Sequence, residues 1–325
     1  MSSPKGSNVD SPSLGTGSRL SAPQLFRYGV NRLREDLKPM ETASAVFWVW
    51  AEQLGRGDPE YLFLNPLATP IFSFPLWVEQ SLSESQDKAF QYELAYASIA
   101  LHFYVRLLDD AMDGHIECSR LLPVLTSLYA HSYRSLQSLF PPDDPFWNYF
   151  YELTDLSADA TIADFTATSL TSQDFIRFAA QKSYCVLIPM IAVLCRYKSY
   201  ADVDRWLQFW HAFAPWNQMR DDVFDWYSDR KNNLCTYLLS EAERRKREDE
   251  SVEHWMLRDG YEWSLHVLDS LFKRVRQLAA ELNCPEMEQH LEERYQKLDR
   301  DIRHLTETLR RMDREIGRVL DGHTA

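Results

Sequence analysis

Glycine is scarce in this chain: ten in 325 residues, three of them before position 18. So few argue against glycine-rich phosphate loops and against β-rich folds, whose tight turns use residues free to adopt positive φ. Cysteine is scarce as well. The five present (Cys118, Cys185, Cys195, Cys235, Cys284) are odd in number and show no CxxC or Cys/His spacing. Neither a disulfide framework nor a zinc site is expected, and the thiols read as reduced groups of a soluble cytoplasmic protein. No apolar run approaches the ~18 residues a membrane span needs. The longest, Cys185 to Cys195, is 11 residues and contains Pro189. No secretory hydrophobic region opens the chain. Positive charge is short too, with 35 Lys and Arg against 48 Asp and Glu, a net −13. Such a chain repels nucleic-acid phosphate, and an anionic substrate would need metal ions or local cations to be held. Finally, none of the nine histidines follows a Glu by three residues, which removes the carboxylate-bridged di-iron site of helical bundles.

What is abundant points to helices. Apolar residues make up 45% and aromatics 13%, enough for a large core and a deep apolar cavity. Residues 1–22 are rich in Ser, Gly and Pro and read as a disordered tail. From residue 23 to 325, apolar residues recur at three- and four-residue spacing, without sustained two-residue alternation. One all-α domain is expected, a single helical bundle. Thr171 and Asp174 have the spacing of a capping box, and 286–320 reads as one long amphipathic helix.

Two acidic clusters stand out. The first is Asp109-Asp110-Ala-Met-Asp113, the second Asp221-Asp222-Val-Phe-Asp225 with Asp229 beyond, and Asp109 and Asp221 are 112 positions apart. On a helix Asp109 and Asp113 share a face, and Asp221, Asp225 and Asp229 form a stripe. Like charges so placed destabilise a helix unless something neutralises them. Hard cations such as Mg²⁺ prefer carboxylate oxygens and are commonly completed by substrate phosphate. Two acidic helices facing each other would cage such ions, and a diphosphate docked there becomes a good leaving group. Candidate diphosphate contacts are Lys182, a lone charge between apolar flanks; Arg220 and Lys231, which flank the second cluster; and, more weakly, Arg294 and Tyr295.

With these residues in view, the chain resembles the class I isoprenoid synthase superfamily of trans-isoprenyl diphosphate synthases and class I terpene synthases. Gln218-Met-Arg-Asp-Asp-Val-Phe-Asp225 resembles the second aspartate-rich motif, Asp109 to Asp113 the first, and Lys182-Ser183 the Lys-Thr helix between them. The resemblance implies a helical bundle, two or three Mg²⁺ ions (Mn²⁺ as a substitute) and a prenyl diphosphate substrate. It implies metal ligation by Asp109, Asp110, Asp113, Asp221, Asp225 and Asp229, and diphosphate contacts from Lys182, Arg220, Lys231, Arg294 and Tyr295. Many relatives form homodimers, an expectation that extends to this chain. Two departures bear on the reaction. Chain-elongating synthases carry an Arg pair soon after the first motif, where this chain has only Arg120. They also carry an N-terminal Gly-Gly-Lys segment, where this chain has Gly29, Arg32, Arg34 and Lys38 in another arrangement. A terpene synthase that ionises and cyclises one prenyl diphosphate is therefore the first expectation. A prenyltransferase (elongating, head-to-head or acting on another acceptor) is the second, and a non-catalytic relative the third. Phe103 and Tyr104, upstream of Asp109, are expected to limit cavity depth.

Overall fold

The structure is a computed structural model; it describes residues 19–112 and 120–322, with side chains as far as 311. Asp113 and Cys118 lie outside the described residues, as does most of the expected tail.

The described residues fold into helices joined by turns and short loops, and none of them forms a strand. In order they form α1 (Ala22–Leu37), α2 (Glu41–Leu54), α3 (Pro59–Leu64), α4 (Ser73–Leu82), α5 (Lys88–Met112), α6 (Leu122–Leu139), α7 (Phe146–Thr166) and α8 (Ser172–Lys182). The second half comprises α9 (Tyr184–Arg196), α10 (Val203–Lys231), α11 (Tyr237–Arg245), α12 (Val252–Trp255), α13 (Tyr261–Glu281) and α14 (Pro285–Gly322). A π-helical segment, Met256–Gly260, joins α12 to α13.

Apolar spacing explains the long helices. In α10, Trp206, Trp210, Phe213, Met219, Val223 and Trp226 are buried at steps of three, four or six residues. Full burial of a large apolar side chain contributes roughly 1.5–3 kcal/mol, so this face alone holds the helix in the core. Helix α9 is buried on all sides from Val186 to Cys195, the pattern of a central helix. It packs against both α5 and α10, the helices that carry the aspartate clusters. In α14, Met287, Leu291, Leu298 and Ile302 are buried at helical spacing, and the single amphipathic helix expected there is present. Local signals set some boundaries. The Thr171 hydroxyl accepts from the Asp174 N–H while Asp174 reaches back to the Thr171 N–H, closing the expected capping box of α8.

No single described helix is long and apolar enough to cross a membrane. The bent pair α8–α9, at 57°, passes by length and composition together, but α9 is spent on the core. Cys185, Cys195, Cys235 and Cys284 are free thiols.

Candidate active site

The first cluster sits on the last turns of α5. Its two described aspartates do not share one environment. Asp109 is half exposed, at 54%, with Arg106 Nη1 at 3.5 Å from its Oδ2. Asp110 is buried, at 3%. It accepts the Trp50 indole N–H at 2.9 Å and is ion-paired with Arg106 Nη2 at 2.8 Å. Asp110 is thus anchored inward, whereas Asp109 is open to a ligand. Asp113 is outside the described residues.

The second cluster lies in mid-α10 and divides the same way. Asp221 is 42% exposed and pairs with its neighbour Arg220, whose Nε donates to Asp221 Oδ1 at 3.1 Å. Asp225 is exposed. Burial of its carboxyl and then the Asp221 charge raise its pKa, against the opposing charges of Arg220 and Arg106. Asp222 is buried and accepts from Gln218 Nε2 at 2.9 Å. Burial pushes it up to about 6, although Gln218 and the Lys182 charge pull the other way. Its Oδ2 is buried without a hydrogen bond of normal geometry. Asp229 lies one turn further along the stripe, half-buried.

Two cations connect the clusters. Arg106, on α5, is paired with Asp109 and Asp110 and also acts on Asp225 of α10. Lys182, at the last position of α8 before the bend, is ion-paired with Asp164 of α7 at 2.8 Å. Burial alone would lower its pKa; Asp164, then Asp222 and Asp109, more than reverse this, and the net shift is upward. One ammonium therefore feels a carboxylate from each cluster.

Arg294, on α14, is 2% exposed. Its Nη2 donates to the Leu67 carbonyl at 2.6 Å and to Asn217 Oδ1. The guanidinium lies over the Phe213 and Trp216 rings, at 5.5 and 5.3 Å. Its Nε and Nη1 are buried without partners. Burial and the nearby Arg220 charge lower its pKa, with Asp221 opposing. It thus stands at the second cluster with donors to spare. Its neighbour Tyr295 does not join it: the phenol donates to Asp269 at 3.0 Å and the ring stacks on Phe272 at 4.2 Å. Lys231 lies over the Tyr227 ring at 4.9 Å.

Arg106, Trp50 and Asp164 do not stand out in the sequence. Arg106 is within reach of sequence reasoning, because it precedes Asp109 and Asp110 by one helical turn. Trp50 and Asp164 carry no such local signal. The aromatic pair upstream of the first cluster splits as well: Phe103 is fully buried against Phe47, Trp50 and Phe63, whereas Tyr104 faces Tyr129 of α6.

The donor set fits divalent magnesium. Every candidate ligand is a hard carboxylate oxygen, and the like charges of Asp221 and Asp225 oppose each other. Among the described residues no three His, Cys, Asp or Glu converge to hold a metal unaided. A cavity of about 270 Å³ lies elsewhere, lined by Arg19, Trp77, Gln80 and Glu286 among others, and includes none of these aspartates.

No protein-family model matches the chain, and no curated protein matches it in sequence. Solved structures do match. Heptaprenyl diphosphate synthase from Staphylococcus aureus superposes with a TM-score of 0.63 at 14% identity, over 86% of this chain and 98% of that one. A geranylgeranyl pyrophosphate synthetase from the archaeon Geoglobus acetivorans gives 0.65 at 12%, over 85% and 98%. A polyprenyl synthase from Caulobacter crescentus, solved with calcium and isoprenyl diphosphate, gives 0.63 at 13%, over 86% and 98%. The chain therefore has the class I isoprenoid synthase fold. All three are prenyl or polyprenyl synthases.

Proposed function

We propose that the chain ionises an allylic prenyl diphosphate in a Mg²⁺-dependent site and transfers the prenyl group to an acceptor. One relationship carries this: Arg106, paired with Asp109 and Asp110, lies within electrostatic reach of Asp225, and Lys182 within reach of Asp109 and Asp222, which supports a common space between the aspartates of α5 and those of α10. The prenyl transfer itself is supported by the synthases that share the fold.

Asp109, Asp113, Asp221 and Asp225 would hold the ions, with Asp229 in support. Bound Mg²⁺ would supply the charge that turns diphosphate into a leaving group. Lys182, Arg220 and Arg294 would bind its oxygens, Arg294 through Nε and Nη1, the two nitrogens that lack partners; Lys231 is a fourth candidate, beyond the end of the stripe. Asp110 orients Arg106. Asp164 holds Lys182 charged and in place. Charge-assisted hydrogen bonds of this type are the strong ones.

A second reading, cyclisation of a single prenyl diphosphate, has its own support. Three basic residues of the N-terminal region are engaged by carboxylates: Arg32 by Glu93, Arg34 by Glu52 at 3.8 Å, and Lys38 by Glu35 at 2.6 Å. They form a poor site for a second diphosphate.

Incubation with Mg²⁺ and ten-, fifteen- and twenty-carbon allylic diphosphates, with and without isopentenyl diphosphate, separates the readings. Product that requires an added acceptor supports transfer. A hydrocarbon built from a single substrate unit without acceptor sinks transfer in favour of cyclisation, whereas one that joins two substrate units supports transfer. No diphosphate release with any substrate, under either condition, means a non-catalytic relative.

A further inference from the structure

Arg106 occupies an unusual place. It precedes Asp109 by three residues and Asp110 by four, so the helix puts the guanidinium beside both. Nη2 lies 2.8 Å from Asp110 Oδ1 and Nη1 lies 3.5 Å from Asp109 Oδ2. Asp110 is buried and held from the other side by Trp50, so the fork has a fixed anchor. The guanidinium is a delocalised cation whose planar fork can face two carboxylates at once. One turn earlier, His102 is pushed down to about 4 by burial and by Arg106, and so stays neutral. Across the bundle, Asp225 feels the same cation.

A divalent ion arriving at Asp109 therefore meets a permanent positive charge that already shares that carboxylate. Repulsion between charges a few ångströms apart, in a partly exposed setting, weakens binding several-fold. Diphosphate, being multiply negative, relieves it. We propose that Arg106 is a built-in counter-ion that couples metal binding at Asp109 to the arrival of diphosphate, so that metal and diphosphate bind together and metal alone binds weakly. Arg106 is a positioning residue in this scheme, acting through Asp109 and Asp110. The proposal rests on the metal-dependent function above.

The test is Mn²⁺ binding followed by electron paramagnetic resonance, with and without inorganic pyrophosphate, on wild type, Arg106→Gln and Arg106→Lys. Wild type is expected to bind Mn²⁺ about tenfold tighter or more when pyrophosphate is present. Arg106→Gln is expected to tighten binding of Mn²⁺ alone by about threefold or more and to shrink the gain from pyrophosphate. Arg106→Lys, which keeps the charge, should keep most of the gain. If Arg106→Gln fails to fold, the Arg106→Gln, Asp110→Asn double variant removes both members of the buried pair and should show the same tightening. Equal Mn²⁺ affinity and an equal gain in the variant and wild type overturn the coupling while leaving the function intact. A wild-type protein that binds no Mn²⁺ in either condition overturns the metal-dependent function, and the coupling with it.

Discussion

The indole N–H of Trp50 donates to Oδ2 of Asp110 at 2.9 Å, joining α2 to the end of α5 across 60 residues of sequence. The middle aspartate of the first cluster is therefore a structural acceptor. It faces Trp50 and Arg106, while Asp109 beside it remains half exposed. The second cluster repeats the division, with Asp222 buried between the more open Asp221 and Asp225. In each cluster one carboxylate is turned inward, while Asp109 in the first and Asp221 and Asp225 in the second stay open.

Trp50→Phe keeps an aromatic ring against Phe47 and Phe103 but leaves an Asp110 oxygen buried without its donor. A loss of about 1–3 kcal/mol in unfolding free energy is expected, read by urea denaturation. Unchanged stability would show that the Trp50 bond contributes nothing net.

Asp222 gives a pH signature. Its folded pKa is raised to about 6 from an ordinary 3.8, chiefly by burial. Between those values the folded state holds more protons than the unfolded one, so stability falls as pH rises through that window and the cost persists above it. Asn has no charge to bury and still offers an oxygen to Gln218. Asp222→Asn should flatten the fall between pH 4 and 6 and be more stable than wild type at neutral pH by about 1–3 kcal/mol. Parallel stability curves for the two proteins would contradict this.

Arg294→Met separates binding from folding. Methionine of similar length can fill the space beside Phe213 and Trp216 and removes a buried charge, while the Leu67 carbonyl and Asn217 Oδ1 lose their donor, so the opposing effects should leave unfolding free energy within about 1–3 kcal/mol of wild type. Affinity for pyrophosphate in the presence of Mn²⁺ should fall by about tenfold, as measured by calorimetry. Unaltered affinity would remove Arg294 from the diphosphate site.

Features set by short-range periodicity are legible in the amino-acid sequence. The helical class, the long α14, the Thr171 cap and the aspartate stripe of α10 all follow from residues recurring at three- and four-residue steps, because helix geometry alone decides which of them share a face. The partners of those faces are not legible there, since they come from elements far apart in the chain. Lys182 meets Asp164 from another helix, Asp110 meets Trp50, and Arg294 meets Leu67 across 227 positions. Arg294 and Tyr295 show the limit most clearly. Adjacent in sequence, they look like one functional pair. Successive residues of an α-helix diverge by about 100°, so Arg294 turns to Asn217 and the second cluster while Tyr295 turns to Asp269 of α13. Composition and spacing determined that the chain is a helical bundle carrying two acidic clusters. Only tertiary packing decided which carboxylates face inward as anchors, which remain open, and that Arg106 and Lys182 lie between them.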